Sequence, residues 1–198
     1  ASLTEKLSLL TIKNYYYDSL PDKKPLMRVR QEWVEEAEKN EKFRSENAMQ
    51  YLVGLNNLAN SYDELGMNDL LQEILKKINA HEHKNLDERI RTFIYYYNLK
   101  LVGDINAGQF TECLASFPLA ERGLNQYGRW FHPEYKQGFR YLFAYGYFGA
   151  GKYKEALKWT NEMIVNYPKE TLEEYYNFAR IFILLIYFGL GHDGLLGS

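Results

Sequence analysis

Cysteine is all but missing: Cys113 stands alone among 198 residues, which excludes an internal disulfide and any zinc site built from paired thiols. A reducing compartment is the simpler expectation, and a cytoplasmic protein follows from it. An excess of one charge is missing too. Lys and Arg number 24 against 26 Asp and Glu, a formal net charge of -2, so no global field draws the chain onto DNA or RNA. Long apolar runs are also lacking; the richest, IFILLIYFGLG at 181–191, is too short to span a bilayer and reads as a buried helix. The opening ASLTEKLSLL has neither a basic start nor an apolar core of useful length, so it does not read as a signal peptide. It also lacks an initiating Met, and an upstream part is expected to have been removed.

Strand signals are the next absence. No alternating apolar and polar run is bounded by hairpin turns, whereas apolar residues recur at spacings of three and four. Material for a core is ample, with 46% hydrophobic residues, 18 Tyr and 11 Phe. Between Asp87 and Val102 the stripe is Ile90, Phe93, Ile94, Tyr97 and Leu101, with Arg89, Arg91 and Lys100 away from it. Breaks are expected at 19–25, 65–69, 103–109, 128–133, 149–152, 166–170 and 189–194, which leaves about nine helices of ordinary length. The charge-rich stretch RQEWVEEAEKNEKFRSEN at 30–47 reads as one exposed helix, with Glu38 and Lys42 paired and a buried stripe of Trp33, Val34, Ala37 and Phe43.

Catalytic and metal constellations are as sparse as the thiols. His81 and His83 stand two apart, point in different directions on a helix and have no further ligands nearby, so a solvated turn is expected. His132 and His192 have no Ser, Cys or Asp at catalytic spacing. Cys113 reads as a small packing residue, and the adjacent acids Glu35 and Glu36, Asp63 and Glu64, and Glu173 and Glu174 read as solvated helix faces. No catalytic residue, metal ligand or cofactor is assigned. One stretch does carry an enzyme's motif: Gly146, Gly151 and Lys152 in GYFGAGKY fit G-x-x-x-x-G-K, the phosphate loop of nucleotide-binding enzymes. Its surroundings favour a turn between helices, because an aromatic helix precedes it and Tyr153 stands where Mg²⁺ needs a Ser or Thr hydroxyl. A nucleotide-binding enzyme using 146–152 remains the alternative from another class.

The glycines that end helices, Gly66, Gly108, Gly151 and Gly191, lie 42, 43 and 40 residues apart, and such a period marks a helical array. In AYGYFGAGKYKEALKW the residues Ala144, Tyr147, Gly151, Tyr153 and Ala156, with Pro168 beyond them, resemble the tetratricopeptide (TPR) repeat. Ala59, Tyr62 and Gly66 repeat the pattern, with Asn68 and Leu71 in place of Tyr153 and Ala156. Tyr187 and Gly191 keep part of it, and the copy at Gly108 keeps Phe110 but has Asp104 for the tyrosine. The period exceeds the 34 residues of a standard TPR, so helices or turns must be longer.

The resemblance implies an all-α, TPR-like right-handed solenoid of antiparallel helical hairpins, forming a single domain over 1–198 and expected to be a fragment of a longer chain. It also implies a non-enzymatic scaffold or adaptor that binds a protein or peptide on its concave face. The family's groove-facing places fall on Asn56, Asn60 and Asp63, on Asn98 with Val102, on Tyr141, Tyr145 and Phe148, and on Ile181, Leu185 and Phe188. Asn side chains suit a peptide backbone and Tyr rings supply contact area, although packing against neighbouring helices is as good an expectation for each ring. Clamping of a chaperone's C-terminal tail is disfavoured, because Gly138 and Leu142 stand where such proteins carry Lys and Arg. A peptide-sensing regulatory domain of a larger signalling or transcriptional protein is the second reading. The helix at 172–189 is left without a partner on one side, which points to a longer protein or to self-association through this helix.

Overall fold

The computed structural model of the protein describes residues 2–166 and 173–191; the expected closing residue Pro168, the break at 166–170 beyond Asn166, and His192 lie outside them. Among the described residues regular structure consists of ten α-helices and one 3-10 turn, without strands. The helices fall into two compact units, residues 1–99 and 100–198.

The first unit opens with α1, Leu3–Asp18, started by a reciprocal cap in which Ser2 Oγ accepts from the Glu5 amide at 3.3 Å and Glu5 Oε2 accepts from the Ser2 amide at 2.7 Å. Helix α2, Lys24–Glu38, places Pro25 in its first turn, where the missing N–H costs nothing. Then follow α3, Glu41–Glu46, α4, Ala48–Glu64, and α5, Asn68–Asn79. Helix α2 packs on both α1 and α4, and α4 on α5. Leu52, Leu55, Leu58 and Ala59 are buried along one side of α4, and α6, Leu86–Asn106, begins here and crosses the division after Leu99. Its expected stripe is buried at Ile90, Ile94 and Leu101, and Tyr95 and Leu99 are buried as well.

The single helix expected over 30–47 is two helices. Asn40 competes with the helix for its own backbone: its Oδ1 accepts from the Phe43 amide at 2.8 Å and starts α3. The pairing of Glu38 with Lys42 is lost with the continuous helix. Glu38 instead bonds Lys77 at 2.7 Å and the Tyr51 hydroxyl at 2.8 Å, and Lys42 faces Glu46. Val34 and Ala37 are buried as expected, and Trp33 meets Phe43 edge to face at 6.3 Å.

The second unit holds α7, Phe110–Tyr127, a 3-10 turn at Gly128–Trp130, α8, Pro133–Gly149, α9, Tyr153–Val165, and α10, Glu173–Gly189. Its core is aromatic. Phe117, Phe139 and Phe143 are buried; Phe143 lies 5.0 Å from Phe117, edge to face, and 4.6 Å from Trp159. Each such ring contributes about 2–3 kcal/mol by leaving water, and Ala144 and Ala156, both buried, allow α8 and α9 to approach closely.

The periodic glycines share one backbone solution. Gly66, Gly108, Gly151 and Gly191 have φ of 68°, 69°, 70° and 77°, the left-handed conformation that ends a helix without a Cβ penalty. At the first three, the residue after the glycine has φ of -87°, -87° and -91° and ψ of 64°, 60° and 62°. Its amide donates back to Tyr62 O, Asp104 O and Tyr147 O at 2.8, 2.7 and 2.8 Å, closing the six-residue ring of a Schellman turn. The bond uses the carbonyl and not the side chain, so Asp104 closes the same turn as the tyrosines.

A second device recurs in the second unit. Phe110, two residues past Gly108, covers Gly149, and Tyr153, two past Gly151, covers Gly189; a Cβ on those glycines would meet the rings at 2.2 Å and 2.7 Å. The ring that starts one helix therefore seats on a bare position of the next helix, two residues before the glycine that ends it. These two kinds of glycine predict different costs. Gly151→Ala, where a Cβ meets nothing within 4 Å, should lose about 1–2 kcal/mol from backbone strain alone, whereas Gly149→Ala, of ordinary helical conformation, should lose about 1–3 kcal/mol by displacing Phe110. In urea unfolding, Phe110→Ala and Gly149→Ala together should cost less than the sum of the two alone, whereas the losses from Phe110→Ala and Gly151→Ala should add.

Candidate functional site

Of the residues expected on a binding face, Asn56, Asn60, Asp63 and Asn98 belong to the first unit and Tyr141 and Tyr145 to the second. On α4, Asn56 and Asp63 are half-buried, and Asn60 is exposed but turned onto its own helix, its Nδ2 donating to Asn56 O at 2.8 Å. Asn98 is half-buried on α6. Tyr141 and Tyr145 stack on each other at 5.9 Å, and both are covered by α10: Tyr141 lies 4.7 Å from Phe178, and Tyr145 lies parallel to Phe182 at 5.9 Å. Burial, first of all, pushes the Tyr141 hydroxyl pKa upward. These rings act as packing between α8 and α10, and Phe148 joins them at 4.9 Å from Phe182.

A cavity of about 470 Å³ lies in the first unit between α1 and α4, with α2 as its floor. Leu7, Leu10, Val29, Trp33 and Phe43 give it an apolar base. Thr4, Ser8 and Asn14 of α1 and Gln50 and Asn57 of α4 supply polar groups along its sides. The α4 wall is thus Asn57 and Val53, one helical position away from the expected Asn56. Gly54 makes this wall possible, because Trp33 lies where its side chain would be: a Cβ there would meet the indole at 2.4 Å. An isolated glycine within a helical pattern is the sequence signal for such an approach.

Arg30 fixes the geometry at one end. Its Nε donates to Asn14 Oδ1 at 2.9 Å, Nη1 to Asn57 O at 3.2 Å and Ser61 Oγ at 2.9 Å, and Nη2 to Asp18 Oδ1 at 3.3 Å. One planar fork therefore ties α1, α2 and α4 together. Burial lowers its pKa, opposed by Asp18 and Glu64, and a guanidinium keeps its charge regardless.

The stretch 146–152 is a helix end and a turn. Gly146 lies buried within α8, where a Cβ would meet Phe117 at 2.5 Å, and Gly151 makes the turn into α9. The element before it is thus helical rather than the strand a phosphate loop requires. Cys113 is buried, and burial, followed by Asp104, pushes its thiol up to about 11, which leaves almost no thiolate at neutral pH. Asp104 itself is raised by burial, against the pull of Lys100 at 2.8 Å. His81 joins the turn before α6, its Nε2 3.3 Å from Glu88 Oε2, and Glu88 also accepts from the Lys84 amide at 3.0 Å and Asn85 Nδ2 at 2.9 Å. No group of three or more His, Cys, Asp or Glu among the described residues could hold a metal ion, and no described helix is long and apolar enough to cross a membrane.

Comparison with protein-family models, curated protein sequences and solved structures finds no match to this chain.

Two measurements follow from these environments. The Lys84 amide first, and then His81 and Asn85, hold the Glu88 carboxyl below the usual glutamate range. Its contribution is therefore complete above the unfolded value of about 4.3 and is lost as pH falls through the lower folded value. Glu88→Gln should cost about 1 kcal/mol at pH 7, with the two proteins converging below about pH 3 in chemical unfolding. Cys113 should react with a thiol reagent at the rate of unfolding; fast labelling of the native chain would contradict its burial.

Proposed function

We propose that the protein is a non-enzymatic, TPR-like helical-repeat scaffold, a solenoid of antiparallel hairpins that binds a protein or peptide segment in the cavity between α1 and α4. The cavity carries this reading. An apolar base beneath polar side walls suits a segment that buries one or two aliphatic or aromatic side chains while its backbone amides meet Asn14, Gln50 and Asn57. The walls are the first helices of two successive hairpins, α1 with α2 and α4 with α5, which is where the resemblance puts a binding face. The recurring Schellman turn and the ring seated on a glycine support a repeat architecture, since both recur at the sequence period. Asn56, Asn60 and Asp63 stand outside the lining of this cavity, while Tyr141 and Tyr145 serve the scaffold.

Arg30 stays a structural tie in this account, because four of its five N–H groups already have acceptors. The test is selection of a displayed library of random 12-residue peptides on the chain. Enriched peptides should share an apolar anchor and lose at least about tenfold in affinity against Val53→Glu, a substitution at an exposed wall position that should leave the melting temperature unchanged. No enrichment, or binding indifferent to Val53→Glu, would overturn the assignment.

A further inference from the structure

Of the side-chain amides that line the cavity between α1 and α4, only that of Asn14 is held in one orientation. An amide carries an acceptor oxygen on one branch and two N–H donors on the other, whereas a guanidinium has donors only. Arg30 Nε donates to Asn14 Oδ1 at 2.9 Å, so the oxygen branch is taken and the Nδ2 branch is turned the other way. Among the described residues Asn14 Nδ2 meets no acceptor, and Asn14 stands half-buried in the cavity lining. Gln50 and Asn57 differ, because their side-chain amides are bonded to no other described residue and can present either branch. Arg30 adds to the donor character of the Asn14 end. It is the only charged residue in the cavity lining, and the carboxylate it meets, Asp18 at 3.3 Å, is 57% exposed, where water and salt screen it. An amide that accepts from a cation is polarised by it, which strengthens its own N–H groups as donors.

We infer that Asn14 is a specificity-determining residue that acts as a fixed donor, taking a carbonyl oxygen of the bound segment and rejecting an N–H or ammonium group at this end of the cavity. The inference rests on the reading of the cavity as a peptide site, and it narrows what that site accepts. The carbonyl nearest α1 meets Asn14 Nδ2, while the N–H groups of the segment are left to Asn57 and Gln50, whose amides can turn to accept them. Arg30 is then a positioning residue. Its bonds to Asn57 O, Ser61 Oγ and Asp18 Oδ1 hold the guanidinium in place, and the guanidinium in turn holds the Asn14 amide. A ligand that offers a donor here would leave that donor facing N–H groups without an acceptor, a contact that costs more than the loss of one ordinary hydrogen bond.

Asn14→Asp separates the two branches of the amide. The carboxylate keeps an oxygen for Arg30 and puts a second acceptor where the donor was, so the melting temperature should hold or rise. Peptides enriched on the unaltered chain from the 12-residue library should lose at least about tenfold in affinity for this variant. In the unaltered chain, one proton of the Asn14 side-chain NH₂ pair should move downfield during titration with the same peptides, a change that a purely structural role would not produce. If Asn14→Asp binds as the unaltered chain does while Val53→Glu still weakens binding, the role of Asn14 is overturned and the cavity reading stands. Tighter binding by Asn14→Asp would place a donor of the ligand at this end and overturn the inference equally. Should Asn14→Asp lower the melting temperature, the NH₂ pair of the unaltered chain decides: a pair that holds still at saturation overturns the inference. A library that enriches nothing removes the cavity reading and this inference with it.

Discussion

The left-handed glycine at the end of a helix is the constraint from which most of this structure follows. At φ near 70° the chain reverses within three residues, and the amide after the glycine satisfies a carbonyl that the helix end would otherwise leave open. The reversal fixes how far the next helix starts from the last, and so sets which side chains meet. Phe110 on Gly149 and Tyr153 on Gly189 show the outcome: a large ring at the start of one helix needs a position without a Cβ in the next helix, and the sequence supplies G-x-G, one glycine for the ring and one for the turn. Gly54 under Trp33 is the same physical trade within the first unit, where the close approach opens a cavity wall as well as packing the core.

Helical character and most boundaries were legible because each rested on local chemistry. Apolar spacing identified the buried side of α4 and the stripe on α6; Pro133, Gly66 and Gly151 marked ends that a helix cannot pass. The division at Asn40 was missed because the i, i+4 pair of Glu38 and Lys42 was weighed above the cap, although an Asn cap at about 1 kcal/mol outweighs such a pair at about 0.2–0.5 kcal/mol. Lys77 and Tyr51, neither near it in sequence, take up Glu38 instead.

The cavity in the first unit was not legible in the sequence. A binding wall on α4 was expected, and its polar line was placed at Asn56 and Asn60. The wall that lines the cavity is Val53 and Asn57, because the seating of Trp33 against Gly54 sets the rotation of α4, and a ring-to-backbone contact between α2 and α4 leaves no pattern in α4 alone. The aromatic line on α8 shows the complementary limit. Tyr141, Tyr145 and Phe148 have the composition of a binding surface, yet α10 lies over them. Composition marked a face that packs a helix without showing which helix.

The claim on which the functional account rests is that ligand enters above Trp33. The chain has three tryptophans, Trp33, Trp130 and Trp159, and only Trp33 lines the cavity, so the indole N–H resonances separate the possibilities during titration with a library-selected peptide. The account predicts that the Trp33 resonance moves while the other two hold still. Saturable binding that shifts Trp130 or Trp159 and leaves Trp33 in place would contradict it.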